Sequence, residues 1–528
     1  MELLREADAM INNWHVPRNK RKLYPVVDIL SLFNLQTIGE NWSETIDRQL
    51  DFEIELERFG LKRPGERRDQ RAGGARTYES WLYNLGLVFI ENATGIVRTT
   101  LAGEALLAGE PPVPIITNQL MKLQYPSPYS VRSRVAINSR FRIRPFRFLL
   151  RLLYDDRVQT LSKEEIGRFV ITEGMNETVT CFEQVIESIT SYRSFGDDIL
   201  PPNFEELYKS STTGLRSREK TLSYLEDIAN TLINYLEYTQ LIVRDPNRNI
   251  FISSDQLDNV EALLNDNSSL RPLDTERQYG IESFQRSYGL APGQIRDNRN
   301  FGGQTITDSL YRERRVRSHL LHIAGTRPIT IYTPSLFDEI SASTGYSVGQ
   351  VEQALNGFRP DTFSQFEASY LNLAISGRDL ATEFEIATKN IFEQLGFTSE
   401  HVGNHPLHPD IFVDSTPNYF GIIDTKAYRA YSITNDHRNR MIHNYIPTYQ
   451  ELNGNLDFFM YVADGFINNI ETQIQRIADQ TNVNGSVITA RNVLRLFQRH
   501  SANPIDHSLL RPLFTSNSQI RLQDIDSL

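Results

Sequence analysis

His408-Pro409-Asp410-Ile411-Phe412-Val413, then Asp414-Ser415-Thr416-Pro417-Asn418, then Tyr419-Phe420-Gly421-Ile422-Ile423-Asp424-Thr425-Lys426 carries the strongest structural signal in this chain. Ile411 to Val413 reads as a short strand, Asp414 to Asn418 as a turn, and Tyr419 to Ile423 as the returning strand. Asp424 and Lys426 are two positions apart, so on an extended chain their side chains leave the same face. A hairpin brings Asp410, at the start of the first strand, beside them. Two carboxylates so placed suit a hard divalent cation. A neighbouring ammonium can lower the pKa of an attacking water or offset charge that develops on a phosphate. Asp-x-Lys alone is common on exposed strands, so the surrounding order of elements has to carry the weight.

That order is α/β from about Asp379 onward. Phe384, Ala387, Thr388, Ile391 and Leu395 form an apolar helical stripe that stops at Gly396, just before the hairpin. After it come a helical stretch near Met441 to Leu452, a strand Phe458-Phe459-Met460-Tyr461-Val462, and a helix marked by Ile470, Ile474 and Ile477. A short strand Ser486-Val487-Ile488-Thr489 and a last helix through Val493-Leu494 close the pattern. Helix, acid-bearing hairpin, then alternating helix and strand is the order of the PD-(D/E)xK nuclease fold. Glu383 or Glu385 on the first helix is placed to add a further carboxylate.

His408-Pro409-Asp410 together with Gly421-Ile422-Ile423-Asp424-Thr425-Lys426-Ala427-Tyr428 resembles the catalytic segment of the FokI cleavage domain, prototype of the Type IIS restriction endonucleases. The similarity extends through Phe459-Met460-Tyr461-Val462 and Thr481 to Val487, and so spans roughly residues 380–500. The resemblance implies Asp410 and Asp424 as magnesium ligands, the Thr425 carbonyl as a third, and Lys426 as the residue that positions or activates water. Manganese is expected to substitute. It also implies an asymmetric double-stranded DNA site, cleavage at a fixed distance to one side, and a cognate DNA methyltransferase in a bacterial host. Cutting both strands then requires two cleavage domains to meet. The segment Thr434 to Met441 shows no acid–arginine match to the FokI dimer contact, which leaves the oligomer geometry open.

The N-terminal half reads differently. Tyr78, Trp81, Leu82 and Leu85 give a helix that Gly86 ends, followed by a hairpin (Leu87 to Ile90 and Ile96 to Thr99) and a helix from Leu101 to Leu107. The arrangement recurs with Leu222, Leu225, Ile228, Ala229, Leu232 and Leu236 on one helical face. A hairpin (Leu241 to Val243 and Asn249 to Ile252) and a helix near Val260 to Leu264 follow. Between them, Ser162-Lys163-Glu164-Glu165 reads as a capping box. Helix, wing and helix is the pattern of a winged-helix module, which can bind DNA or protein. Thr77-Tyr78, Thr100 to Gly103 and Leu120 to Ser127 are loosely similar to the recognition regions of the Type IIS group that includes AlwI and related nicking enzymes.

Two basic clusters favour DNA. From Lys122 to Arg151 there are eight basic residues and no acidic one: Lys122, Arg132, Arg134, Arg140, Arg142, Arg144, Arg147 and Arg151. Arg140, Arg142 and Arg144 alternate with Phe141 and Ile143, which on an extended segment places three guanidiniums on one side. The second cluster is Lys62, Arg63, Arg67, Arg68, Arg71 and Arg76, in a Gly-rich stretch without periodicity. The bland alternative for both is a salt-bridged surface.

At 528 residues the chain exceeds one core, and its 40% hydrophobic and 23% charged residues are those of a folded protein. The expected fold is multidomain: a mainly α-helical N-terminal half with winged-helix modules, and a C-terminal α/β PD-(D/E)xK nuclease domain. Residues 1–115 and 116–265 are read as two recognition domains, 266–375 as a helical connector with a basic helix start at Arg312, Arg314, Arg315 and Arg317, and 376–528 as the nuclease domain. The single cysteine, Cys181, excludes an internal disulfide and a cysteine metal cluster. No apolar run reaches membrane-spanning length and the N-terminus lacks a secretory pattern, so the chain is read as cytoplasmic. The net charge of −11 says little about DNA, because DNA is bound by local patches.

The expected chemistry is in-line attack of water on a DNA phosphodiester, with Lys426 helping to ionise the water and the Asp410–Asp424 site stabilising the transition-state charge. Two rivals stand beside it: a structure-specific or repair nuclease of the same fold, and a winged-helix transcription regulator with an inactive nuclease-like domain. The recognised base sequence is not legible, because it depends on which side chains reach a groove.

Overall fold

The computed structural model describes residues 11–17, 20–37, 41–42, 45–63, 72–132, 137–208, 217–245, 247–266, 272–273, 280–301, 307–405, 407–415 and 419–528, without the side chains of 37 and 132. It divides into two compact units, residues 1–319 with 338–360, and residues 320–337 with 361–528. No helix among the described residues is long and apolar enough to cross a membrane.

The first unit is largely helical. Its helix Gly73–Asn84 begins two residues after Arg71, so the Gly-rich stretch read from the sequence as irregular is in part the first turn of a helix. Gly74 permits this because a Cβ there would lie 2.4 Å from Glu53 Oε1. The chain then turns at Gly86, with φ +72°, into the antiparallel hairpin Val88–Ile90 and Val97–Thr99, and on into helix Leu101–Leu107. Later the order recurs as helix Arg218–Tyr238, strands Ile242–Arg244 and Ile250–Ile252, and helix Leu257–Asn265. A short strand that the sequence did not signal, Thr160–Leu161, joins that second hairpin to make three strands. The Ser162–Glu165 capping box forms as expected.

Helix Ile281–Tyr288 is built into this unit rather than lying on it. The Gln285 amide donates to the Tyr83 and Val88 carbonyls at 2.5 and 3.0 Å, and the fully buried Tyr288 donates to the Asn84 carbonyl at 3.0 Å. Those acceptors are backbone groups at the helix–hairpin junction, so the helix is tied to the turn by its own side chains.

The second unit is a six-stranded mixed sheet with helices on both faces. Its order is Gln519–Ile520, Asn484–Thr489, Phe458–Ala463, Tyr419–Thr425, Ile411–Ser415 and Thr398–His401. The last two pairings, among the three strands from Thr398 to Thr425, are antiparallel, and the remaining three are parallel. All six residues of Phe458–Ala463 are buried, as expected of a strand covered on both sides. Met460, Val462, Ile423 and Ile411 face one core, which is closed by helices Thr362–Leu373, Ala381–Gln394 and Ala490–Ala502. Ile422, Phe459, Tyr461 and Ala463 face the other, under the helical stretch from Met441 to Asn453 and helix Ile470–Thr481. Gly421 and Gly485 carry no side chain because the rings of Phe458 and Phe459 lie over them, where a Cβ would fall 2.1 and 2.4 Å from a ring carbon.

The sequence reading stops at a helix through Leu494. The fold continues with helices His507–Phe514 and Leu522–Asp526, and with the edge strand Gln519–Ile520 between them.

Candidate active site

Hairpin register assembles the site. Ile411 pairs with Ile423, so the next residues outward, Asp410 and Asp424, stand opposite each other on the face that carries Ile422. Lys426 continues the same alternation, one residue past the strand end. Its ammonium pairs with Asp424 Oδ2 at 2.7 Å, and the two side chains are only 14% and 5% exposed. Asp410 Oδ2 accepts from the Thr425 backbone N–H at 2.6 Å and from the Thr425 hydroxyl at 3.0 Å. The backbone around Lys426 is held by its own N–H, which donates to the Val462 carbonyl at 2.7 Å.

Electrostatics follow from this crowding. Burial, and then the Asp424 carboxylate beside it, push the Asp410 carboxyl well above the usual carboxylate range, against the pull of Lys426. Burial opposes the Lys426 ammonium, but Asp424 and Asp410 together outweigh it and raise the lysine above its ordinary value. Lys426 therefore stands as a fixed positive charge, not as a ready base.

The two helix carboxylates are now distinguishable. Glu383 is exposed on the helix surface. Glu385 is turned toward the site: its Oε2 meets His401 Nε2 at 2.7 Å, and Gly403 separates it from Asp410. A Cβ on Gly403 would lie 3.1 Å from Glu385 Oε2 and 3.4 Å from Asp410 Oδ1, so glycine is what lets these carboxylates approach. Among the described residues no group of three or more His, Cys, Asp or Glu side chains is arranged to hold a metal ion. The donors that meet are two facing carboxylates, one of them destabilised by the other's charge. That all-oxygen pair fits a hard divalent cation.

A wall of tyrosines that the sequence reading missed backs this pair. Tyr461 lies directly beside Asp424 in the parallel register and on the same face. Its hydroxyl is fully buried and meets no hydrogen-bond partner among the described residues. The Tyr431 ring lies tilted against Tyr461, 5.7 Å between centroids, and its hydroxyl shares a 2.7 Å hydrogen bond with His437 Nδ1. Tyr445 sits on the wide π-type turn Met441–Tyr445. Burial first, and the Asp424 charge second, raise all three phenols above their ordinary value. Period-two alternation does place Tyr461 with Phe459 on one face. Only the register of two distant strands sets it against Asp424.

Residues 345–521 match the FokI cleavage domain family. The C-terminal part of this chain is a FokI-type cleavage domain. A cleavage domain of that kind is an endonuclease domain, and the Asp410–Asp424–Lys426 cluster lies inside it. No curated protein matches the chain. Among solved structures, restriction endonuclease FokI alone and FokI bound to DNA are similar, each at 14% identity over 97% of this chain and 99% of the other. Their TM-scores are 0.28 and 0.29, too low to carry any argument about the N-terminal half.

The basic clusters do not stand as uniform patches. Of the first, Arg134 and the side chain of Arg132 lie outside the described residues. Lys122 is turned inward, donating to the Leu290 carbonyl at 2.9 Å, and burial lowers its amine to about 7. Arg140 donates to the Asn12 and Thr172 carbonyls at 2.9 and 3.0 Å, and Arg144 is paired with Glu177 through two bonds of 2.7 and 2.5 Å. Arg147 donates to the carbonyls of Leu263, Leu264 and Asp266, closing the end of helix Leu257–Asn265. Arg142, between them, is exposed. In the second cluster Arg67, Arg68 and Arg71 lie outside the described residues. Lys62 is paired with Glu53 and Glu57, Arg76 reaches Gln49 at 3.2 Å, and Arg63 is exposed.

Proposed function

We propose that this protein is a Type IIS restriction endonuclease: its N-terminal half binds an asymmetric site on double-stranded DNA, and its cleavage domain hydrolyses phosphodiester bonds at a fixed distance outside it. The observation that carries the reading is the facing of Asp410 and Asp424 with Lys426 paired to the latter, inside a FokI-type cleavage domain. Asp410, Asp424 and the Thr425 carbonyl would hold magnesium, or manganese in its place. A bound divalent cation supplies Lewis-acid stabilisation and a more acidic water.

The chain's own residues do the rest. The N–H and hydroxyl of Thr425 fix the orientation of Asp410. Lys426, held protonated by two carboxylates, presents a positive charge toward the scissile phosphate and stabilises the negative charge that builds there. The buried tyrosines exclude bulk water from behind Asp424, which strengthens each of these interactions.

In the same reading the two helix–hairpin–helix segments are winged helices, residues 1–115 and 116–265 recognise DNA, 266–375 connect, and 376–528 cut. One site per chain cuts one strand, so double-strand cleavage needs two chains to meet, and a cognate methyltransferase protects host DNA. The test is digestion of long duplex DNA with magnesium, followed by sequencing of the ends. Discrete fragments with ends at a constant offset from one asymmetric sequence are expected. Cleavage that follows DNA shape instead, without a common sequence, would replace this reading with the structure-specific one.

A further inference from the structure

The basic helix start read from the sequence finds no acid when the chain folds. Helix Asp308–Thr326 begins on Thr307, whose hydroxyl accepts the Leu310 N–H at 3.2 Å. Its inner side is anchored at the fully buried Val316. Arg317 is committed to the same anchorage: it pairs with Glu313, donates to the Ala354 carbonyl at 3.4 Å and lies 4.6 Å from the Phe358 ring centroid. Arg312, Arg314 and Arg315 are not so committed. All three are partly buried, yet among the described residues none of their guanidiniums makes a hydrogen bond, an ion pair or a ring contact. Arg312 and Arg315, three positions apart, are neighbours on the helix surface, where like charges repel. Burial holds the Arg314 guanidinium below its ordinary value, and Glu104 and Glu313 pull the other way. Those two acids already have partners of their own, Arg299 and Arg317. A partly buried charge without a partner is unfavourable, so this surface gains from an anion that comes from outside the protein.

We propose that Arg312, Arg314 and Arg315 form a phosphate-binding surface for the backbone of duplex DNA, so that the segment 266–375 grips the substrate as well as connecting. The inference rests on the nuclease reading for the identity of the anion and assigns the connector a task that reading does not give it. Guanidinium forks match phosphate oxygens in pairs. Three of them within four consecutive positions of one anchored helix suit a polyanion with repeated phosphates better than one small anion. Glu104 ties the place to the proposed recognition surface: its charge reaches Arg314, and it lies on helix Leu101–Leu107, which closes the first helix–hairpin–helix segment.

The test is binding of the full chain to a fluorescent duplex of random sequence, read by anisotropy over a salt series without divalent ions. Wild type, Arg314→Met and the triple variant Arg312→Gln, Arg314→Gln, Arg315→Gln are compared, with thermal melts of each in the absence of DNA. Each phosphate contact contributes about 0.9 to the slope of log affinity against log salt, so the triple variant should lose about 3 and Arg314→Met about 1. Arg314→Met should melt no lower than wild type, because it removes a partly buried charge that has no partner. An unchanged slope in the triple variant would overturn the proposal. So would a fall in Tm for Arg314→Met, because the guanidinium would then serve the fold. If wild type binds no duplex at all, the proposed function falls as well. That result is distinct from one in which wild type and the triple variant bind with the same slope, which removes only this surface.

Discussion

Asp410 and Thr425, fifteen positions apart in sequence, are joined twice: the Asp410 carboxylate oxygen Oδ2 accepts the Thr425 N–H at 2.6 Å and the Thr425 hydroxyl at 3.0 Å. The backbone bond survives any substitution at 425 except proline, whereas the hydroxyl bond is lost in any residue without a hydroxyl at that place. Thr425→Val should therefore keep the hairpin but loosen Asp410. A single hydrogen bond to a charged group is worth about 1.5–3 kcal/mol, so cleavage should fall by roughly ten- to a hundredfold. Cleavage rates over a magnesium titration check this, and an unchanged rate would show that the N–H alone orients Asp410.

Removing a carboxylate is more severe than loosening one. Asp424→Ala deletes the partner of Lys426 and one of the two facing acids. Loss of one electrostatic group of this kind costs on the order of 10²-fold or more. The variant should still bind its DNA in a gel-shift assay while failing to cut. Magnesium-dependent cutting at the wild-type rate would remove Asp424 from the mechanism.

Arg142 and Arg144 should separate cleanly. Arg142 is exposed, while Arg144 is tied to Glu177 at the start of helix Pro145–Tyr154. Arg142→Ala is expected to weaken DNA binding at every sequence and to reduce the salt slope by about 1, with no loss of Tm. Arg144→Ala should lower Tm instead, because Glu177 loses its partner in a half-buried position. Salt-dependent binding isotherms beside thermal melts distinguish the two, and equal effects of both variants on the slope would contradict the assignment.

Lys122 predicts a pH dependence of stability. Burial lowers its amine from 10.5 to about 7 in the folded chain. Between those values the unfolded chain holds a proton that the folded chain has released, so stability rises with pH across that window. Below about pH 7 both states are protonated and the folded state bears the full penalty. Lys122→Met should raise Tm most at or below neutral pH and flatten the rise toward pH 10. Melts across the pH range check this, and a larger Tm gain at pH 10 than at pH 6 would reverse the sign.

Much of the cleavage domain was legible before folding was considered. The amphipathic helices have strong periodicity because each buries one full face, and the strand Phe458–Ala463 is an unbroken apolar run because it is covered on both. Edge elements were not legible. Thr398–His401 contains no aliphatic residue and exists as a strand only because Ile411–Asp414 pairs with it. The partners of the arginine run were not legible for a related reason. The run contains no acid of its own, but Glu177 and several backbone carbonyls reach it from distant segments and take up Arg144, Arg140 and Arg147. Local sequence cannot show a partner that only folding delivers.

By itself, then, the sequence determined which side chains are available for chemistry: Asp410, Asp424 and Lys426, on strands whose alternation puts the last two on one face. Tertiary structure alone decided what surrounds them. The pairing of Ile411 with Ile423 sets the two carboxylates opposite each other, and the parallel register sets Tyr461 beside Asp424. The physical reason is that alternation is a property of a single strand, whereas register is set between strands, by cores and turns that bring together residues far apart in the chain.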